Sequence, residues 1–165
     1  MIYIGRRRRT EHVDAWTSLK KPTKDDAEIF LMLTQTFRGN ESDEAMQWFL
    51  SEFNVKDYDE FKTKYPDNSA GQRNIGRILG QFEFAGVLVS HGLLNENLYF
   101  DTSGIGFAWA KLEKVVQGMQ KEMGPALWEN AVWLAERQKQ WAKDVWKPGL
   151  AWKPDRPGTT PRKRR

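Results

Sequence analysis

The stretch IGRILGQFEFAGVLVSHGLL, residues 75–94, decides the fold of this chain. Most of its side chains are apolar, and its one carboxylate, Glu83, stands between two phenylalanines. A helix that is hydrophobic all round is buried against other elements. Gly92 follows the pattern at a position where glycine commonly ends a helix. The stretch therefore predicts a central helix over about residues 72–91, with the other elements packed around it.

The composition supports one folded domain and excludes several kinds of site. A chain of 165 residues is typical of a single domain. Eight Trp and nine Phe supply large buried areas for a core, although only 39% of the residues are hydrophobic. The absence of cysteine excludes disulfides, thiolate metal sites and thiol nucleophiles. Since only His12 and His91 are present, we expect no histidine-rich metal site and no cofactor.

Caps and breakers divide residues 23–146 into about five to six helices. Thr23 is a residue type that caps helix N-termini, and Gly39 ends the apolar pattern that follows it. Pro125 is expected in the first turn of the last helix, where its missing N–H is harmless. No segment shows the clear alternation of a half-buried strand. We therefore predict an all-α fold, a compact bundle around the central helix.

The charge is distributed unevenly along the chain. Residues 1–24 carry seven Lys or Arg against two acidic residues, and residues 143–165 carry eight against two. Residues 25–142 carry 11 basic and 18 acidic residues. The net charge of +4 therefore conceals an acidic body with a basic arm at each end.

These patterns predict three regions. Residues 1–22 form a basic N-terminal arm with a short helix expected over about Thr10–Leu19. Residues 23–146 form the helical domain. Residues 147–165 form a basic tail rich in Pro and Gly, and such a composition predicts disorder.

Glycines within the central helix need a structural reason, since each costs about 1 kcal/mol relative to alanine. Gly76 and Gly80 are four residues apart and share one face, and Gly86 lies further along. We expect close approach of another helix to compensate. A phosphate cradle is the functional alternative, but no strand precedes these glycines, as that motif requires.

Glu83 is the first candidate for chemistry. Burial among aromatic side chains disfavours a carboxylate's charged form, so an acid or a paired ion is expected there. Without a second acid, base or nucleophile at fixed spacing, we predict a structural ion pair with Arg137, or else with Arg77.

An enzyme remains the alternative hypothesis. It requires Glu83, His91 and Asp101 to converge on a polar pocket beside Gly92. His91 alone is better explained as a cation near the negative end of the central helix dipole.

The two basic arms are the candidate binding residues for nucleic acid or an acidic partner. Lys and Arg side chains neutralise phosphates and release counterions, which gives salt-sensitive binding without sequence preference. Solvated tails, or arms folded back on the acidic body, are the alternatives. The residues concerned are Arg6, Arg7, Arg8, Arg9, Arg162, Lys163, Arg164 and Arg165.

The block FEFAGVLVSHGLLNE, residues 82–96, resembles the core motif of domain of unknown function 4760, a family of small bacterial helical proteins. The arginine-rich segment and the helix around Trp109 also fit, so that the resemblance covers residues 6–140. It implies a cytoplasmic-facing helical domain with no established activity, catalytic residue or cofactor. Some relatives place a membrane anchor ahead of the arginines. Only residues 1–5 precede them here, so we expect no anchor.

The resulting hypothesis is a non-enzymatic helical interaction module. We expect it to bind a macromolecular partner, a protein or a nucleic acid, through a tryptophan-rich surface and the basic arms. Eight tryptophans predict some exposed aromatic surface, which also allows a homodimer. A cytoplasmic location is expected, because no apolar run reaches the roughly 20 residues of a membrane span.

Overall fold

The computed structural model describes residues 21–145. Seven α-helices and no strand occur between these limits, which confirms the all-α fold. The predicted count was about five to six helices, and the short α5 is the additional one. The helices are α1 (Lys24–Thr36), α2 (Asn40–Ser51), α3 (Tyr58–Lys64), α4 (Ala70–Ser90), α5 (Glu96–Phe100), α6 (Ile105–Met123) and α7 (Glu129–Val145).

The helix boundaries follow local side-chain chemistry. Thr23 and Asp26 form a capping box, in which each side chain accepts a hydrogen bond from the other residue's backbone N–H. Ser69 accepts a hydrogen bond from Gln72 N at 3.2 Å and so caps the N-terminus of α4. These caps explain why the predicted starts of both helices agree with the structure.

The central helix α4 packs most extensively against α7 and then against α2. Ile75, Ile78, Leu79 and Ala85 are fully buried in these contacts. Its observed span confirms the central helix predicted over about 72–91. The expectation that every side is covered is wrong for the side of Phe84, which is 47% exposed.

Aromatic residues dominate the packing of α2 and α3. Phe53 stacks on Phe49 at a centroid distance of 5.1 Å, and it also contacts Phe61 and Tyr65. Lys111 of α6 donates to the carbonyl oxygens of Phe49 and Phe53 at 3.2 and 3.0 Å. The negative end of a helix dipole stabilises a cation placed beside the last carbonyl groups of the helix. Lys111 therefore holds the end of α2 against α6.

Helix α1 is joined to the remainder of the domain mainly through α5. Asp26 accepts a hydrogen bond at 2.7 Å from the backbone N–H of Asn95, which is itself the N-cap of α5. Asn97 in α5 accepts a hydrogen bond from the Trp141 indole at 2.7 Å. Buried polar groups require such partners. These bonds place the start of α1, α5 and the end of α7 next to one another.

The last helix begins later than the sequence predicts. Pro125 lies in a turn over residues 125–128, and α7 starts at Glu129. Trp128 has φ of +57°, a left-handed conformation that bulky residues rarely adopt. The prediction that Pro125 occupies the first turn of the last helix is therefore wrong. The chain makes a non-helical turn over residues 125–128, and α7 begins and packs on α4 only after it.

Candidate functional site

The Glu83 carboxylate is used to hold helix α7. One oxygen accepts from Asn130 Nδ2 at 2.7 Å, and the other accepts from the Ala131 backbone N–H at 2.9 Å. The first backbone N–H groups of a helix lack partners within it, and the helix dipole is positive there. Glu83 therefore acts as a cap that another helix supplies, and both of its oxygens are occupied.

The ion pair predicted between Glu83 and Arg137 is wrong. Arg137 donates from Nε to one Glu96 carboxylate oxygen at 2.6 Å and from Nη2 to the other. The hydrogen bond with Glu96 raises the pKa of Arg137. The alternative partner Arg77 pairs with Glu41. The physical reason is that the N-terminus of α7 already supplies hydrogen-bond donors and the positive end of a helix dipole to the Glu83 carboxylate, so no arginine is needed there.

The three residues of the enzyme hypothesis are not brought into one pocket. Glu83 is engaged as described, His91 is the exposed C-cap residue of α4, and Asp101 is exposed after α5. Two cavities found in the part of the chain that the structure describes are lined by other residues. The geometry thus provides no constellation for acid–base chemistry from these groups.

The larger cavity lies between α1, α2, α4 and the start of α6, and we name it the α1–α2–α6 groove. Its volume is about 510 Å³, in the range of ligand-binding clefts. Most of its lining is apolar, and Leu50 and Phe107 at its rim are 54% and 62% exposed. The lining residues are Phe30, Leu33, Thr34, Phe37, Met46, Phe49, Leu50, Gln81, Phe82, Tyr99, Thr102, Ser103, Gly104, Phe107 and Ala108.

Two of the hydroxyl groups in the lining, those of Ser103 and Tyr99, are shielded from water. The Ser103 Oγ atom is buried and has no hydrogen-bond partner within the described structure. A buried polar group without a partner is unusual and costs free energy. Burial raises the pKa of the Tyr99 hydroxyl well above its ordinary value, so this phenol stays neutral.

A smaller cavity of about 390 Å³ adjoins the groove, since Phe37 and Gln81 line both. Its floor includes Gly80 of α4, where an added Cβ would meet nothing within 4 Å. Phe84 forms part of its wall. The two cavities therefore lie side by side along α4, with Phe37 and Gln81 shared between their linings.

Comparison with known proteins assigns the chain to a family. A family model described as Domain of unknown function (DUF4760) matches residues 4–138. The chain belongs to this family. No curated protein and no solved structure matches this DUF4760 domain. The match spans α1 to α6 and the beginning of α7, so the groove lies wholly within the family's domain.

The expected tryptophan-rich surface is not found in the described part of the DUF4760 domain. Trp109 and Trp141 are buried, Trp48 and Trp128 are partly buried, and Trp133 is 40% exposed. Indole rings bury a large apolar area, which favours their use in the core. The exposed apolar side chains are instead mainly Leu, Met and Phe.

Several other sequence predictions concern residues outside the described range. The arm residues Arg6–Arg9 and the tail residues Arg162–Arg165 both lie there. Between residues 21 and 145, no group of three or more His, Asp or Glu residues is arranged to hold a metal ion. No helix among α1–α7 is long and apolar enough to cross a membrane.

Proposed function

We propose that this DUF4760 domain is a non-enzymatic interaction module that binds a helical segment of a partner protein in the α1–α2–α6 groove. The observation that carries the proposal is an apolar groove of about 510 Å³ with exposed Leu50 and Phe107 at its rim. Water does not solvate such a surface favourably, so covering it with apolar side chains releases free energy. Exposed apolar clefts commonly mark binding sites.

The shape of the groove supports a helical ligand. Its walls are helices, and amphipathic helices bind such grooves by inserting side chains at i, i+3, i+4 and i+7. Helix α1 forms one wall and is joined to the domain mainly through α5. The wall formed by the second half of α1 and by Phe37, which follows it, therefore has few contacts that resist a small adjustment to a ligand.

Site-specific photo-crosslinking tests the proposal in the native host with the full chain. The variant Phe107→p-benzoylphenylalanine places the crosslinker at the groove rim. The matched control Met123→p-benzoylphenylalanine has it at a similarly exposed position outside the groove, since Met123 is 57% exposed. We expect one defined protein adduct from position 107, mapped to an amphipathic segment, and none from position 123.

The substitution Leu50→Ser provides the second arm of this experiment. Because Leu50 lines the groove, the substitution should reduce the adduct at position 107 several-fold. Leu93→Ser, at a comparably exposed residue outside the groove, should leave it unchanged. Equal adducts at both positions, or an adduct insensitive to Leu50→Ser, would contradict the proposal. An adduct with a second copy of the chain would indicate a homodimer instead.

The basic arms support a second proposal. The runs Arg6–Arg9 and Arg162–Arg165 hold eight cationic side chains, which suit the phosphates of nucleic acid. This binding would be independent of the groove and strongly dependent on salt. We also propose that the protein acts in the bacterial cytoplasm, in keeping with its lack of cysteine and its family resemblance.

A further inference from the structure

The walls of the α1–α2–α6 groove come from the most acidic part of the chain. Residues 24–52, which include α1 and α2, contain seven acidic residues and only two basic ones, Lys24 and Arg38. Asp26 is buried, and the other six acidic side chains are exposed. Like charges close together repel one another, so this concentration carries a cost in the free domain.

Most of these carboxylates form no ion pair within residues 21–145. Glu41 pairs with Arg77, but five of the exposed acidic residues make no ion pair with any described residue. These five are Asp25, Glu28, Asp43, Glu44 and Glu52. Later in the chain several acidic residues are paired with Lys or Arg, namely Asp59, Glu96, Glu113, Glu122 and Glu136. Between residues 24 and 52, by contrast, only one of the six exposed acidic residues is paired.

Helical spacing places acidic residues next to the apolar lining. Asp43 precedes the lining residue Met46 by three positions, so the two occupy neighbouring places on α2. Asp101 is adjacent in sequence to Thr102, which lies in the opposite wall. On α1, at about 3.6 residues per turn, Glu28 lies on the side of the helix opposite the lining residues Leu33 and Phe37. The groove therefore combines an apolar lining with nearby carboxylates on two of its sides, at Asp43 and Asp101.

We infer that the occupant of the groove is a basic amphipathic helix of a partner protein. This inference rests on the proposed function and adds the charge of the ligand to it. Apolar residues on one face of such a helix would cover the floor, while Lys or Arg on its flanks would meet the uncompensated carboxylates. Charge complementarity of this kind increases the association rate and excludes acidic partners.

The first experiment measures binding of two designed peptides to the full chain by fluorescence anisotropy. Both contain about 18 residues, or about five helical turns, with leucine on one face. The other face is lysine in one peptide and glutamate in the other. At an ionic strength of about 0.05 M, where screening is weak, the lysine peptide should bind at least about tenfold more tightly. Equal affinities would overturn the inference.

Charge variants locate the effect. Asp43→Asn and Asp101→Asn together remove one carboxylate from each of two walls and should weaken lysine-peptide binding about fivefold. The matched control, with the same net charge, is Glu129→Gln and Asp144→Asn, at exposed sites on α7 that make no ion pair with a described residue. It should change the affinity by less than about twofold. An equal loss in both double variants would overturn the inference, because only the overall charge would then matter.

Groove variants separate this inference from the proposed function. Leu50→Ser with Phe107→Ser should abolish lysine-peptide binding if the groove is the site. If lysine-peptide binding is lost in this variant but unchanged in the charge variant, the groove remains the binding site and the proposal of a basic ligand is refuted. If Arg162→Gln, Lys163→Gln, Arg164→Gln and Arg165→Gln raise peptide affinity about tenfold or more, the chain's own tail competes for the groove. That result would overturn the assignment to a separate partner.

Discussion

Glu83 on the central helix caps the last helix, because its carboxylate accepts the backbone N–H of Ala131 at 2.9 Å. The two residues are 48 positions apart in the sequence. Asn130 adds a second hydrogen bond to the same carboxylate. A carboxylate beside the first turn of a helix is favoured both by the unpaired N–H groups and by the helix dipole. This contact therefore sets where α7 begins and how it lies on α4.

Replacing Glu83 should destabilise the domain without unfolding it. We expect Glu83→Ala to lower the free energy of unfolding by about 2–3 kcal/mol, since two hydrogen bonds to a charged group are lost. Glu83→Gln keeps an oxygen acceptor and should cost about half as much. Urea denaturation monitored by circular dichroism measures both. Glu129→Gln, an exposed acid at the start of α7, is the control; an equal effect there would contradict the assigned role of Glu83.

Gly86 should be the intolerant glycine of the central helix. A Cβ at this position would lie 2.3 Å from the backbone oxygen of Asn130, so Gly86→Ala should cost about 1–3 kcal/mol. At Gly76 a Cβ would meet nothing within 4 Å, and Gly76→Ala should stabilise the helix by about 0.5–1 kcal/mol. Thermal and urea unfolding would measure the difference. Effects of the same sign in both variants would refute this explanation.

Sequence reasoning worked where the information is local. The cap at Thr23 and the stop at Gly39 depend on residues within a few positions of each other, so the helix starts could be predicted. The partner of Glu83 could not be predicted. Almost every residue has a backbone N–H, so the sequence does not show which one this carboxylate meets. The sequence predicts close approach at all three glycines of the central helix, and the structure has it at Gly86 but not at Gly76 or Gly80. Composition also directed attention to tryptophan, whereas large rings are preferentially buried.

The groove was not predicted for a related reason. Its walls come from three separate parts of the chain, and only their packing brings Leu50 near Phe107 in one lining. One local signal was present, since Leu50 is an apolar residue beside polar neighbours on the charged helix α2. It is exposed and lines the groove. Leu31 and Met32 are exposed as well but lie outside the groove, so an apolar residue on a charged helix did not by itself locate the binding face.

Tyr99 predicts a loss of stability in alkali. Burial raises the pKa of its phenol above the ordinary value of 10.0, so the unfolded chain loses this proton first. The contribution of Tyr99 is complete below pH 10. It declines by about 1.4 kcal/mol per pH unit as the pH rises above that value. Tyr99→Phe should remove this part of the decline, as measured by urea unfolding of both proteins at about pH 8, 10 and 11. Parallel curves for the two proteins would exclude the effect.

Removing the Ser103 hydroxyl should stabilise the domain. Because this buried hydroxyl has no partner within residues 21–145, Ser103→Ala should raise the free energy of unfolding by about 1 kcal/mol, measured by urea denaturation. Thr102→Ala, at the neighbouring and exposed residue, is the control. A loss of stability in Ser103→Ala would show that the hydroxyl is already satisfied.

The basic arms predict salt-dependent binding of single-stranded RNA by the full chain. Neutralising the tail with Arg162→Gln, Lys163→Gln, Arg164→Gln and Arg165→Gln should weaken binding. It should also reduce the slope of log affinity against log salt by about 0.7 for each lost phosphate contact. A control with the same charge change uses exposed lysines of the body, namely Lys56→Gln, Lys114→Gln, Lys121→Gln and Lys143→Gln. Fluorescence anisotropy with a labelled oligouridine measures both variants. If the two lower the slope equally, binding follows overall charge and the arms are not the site.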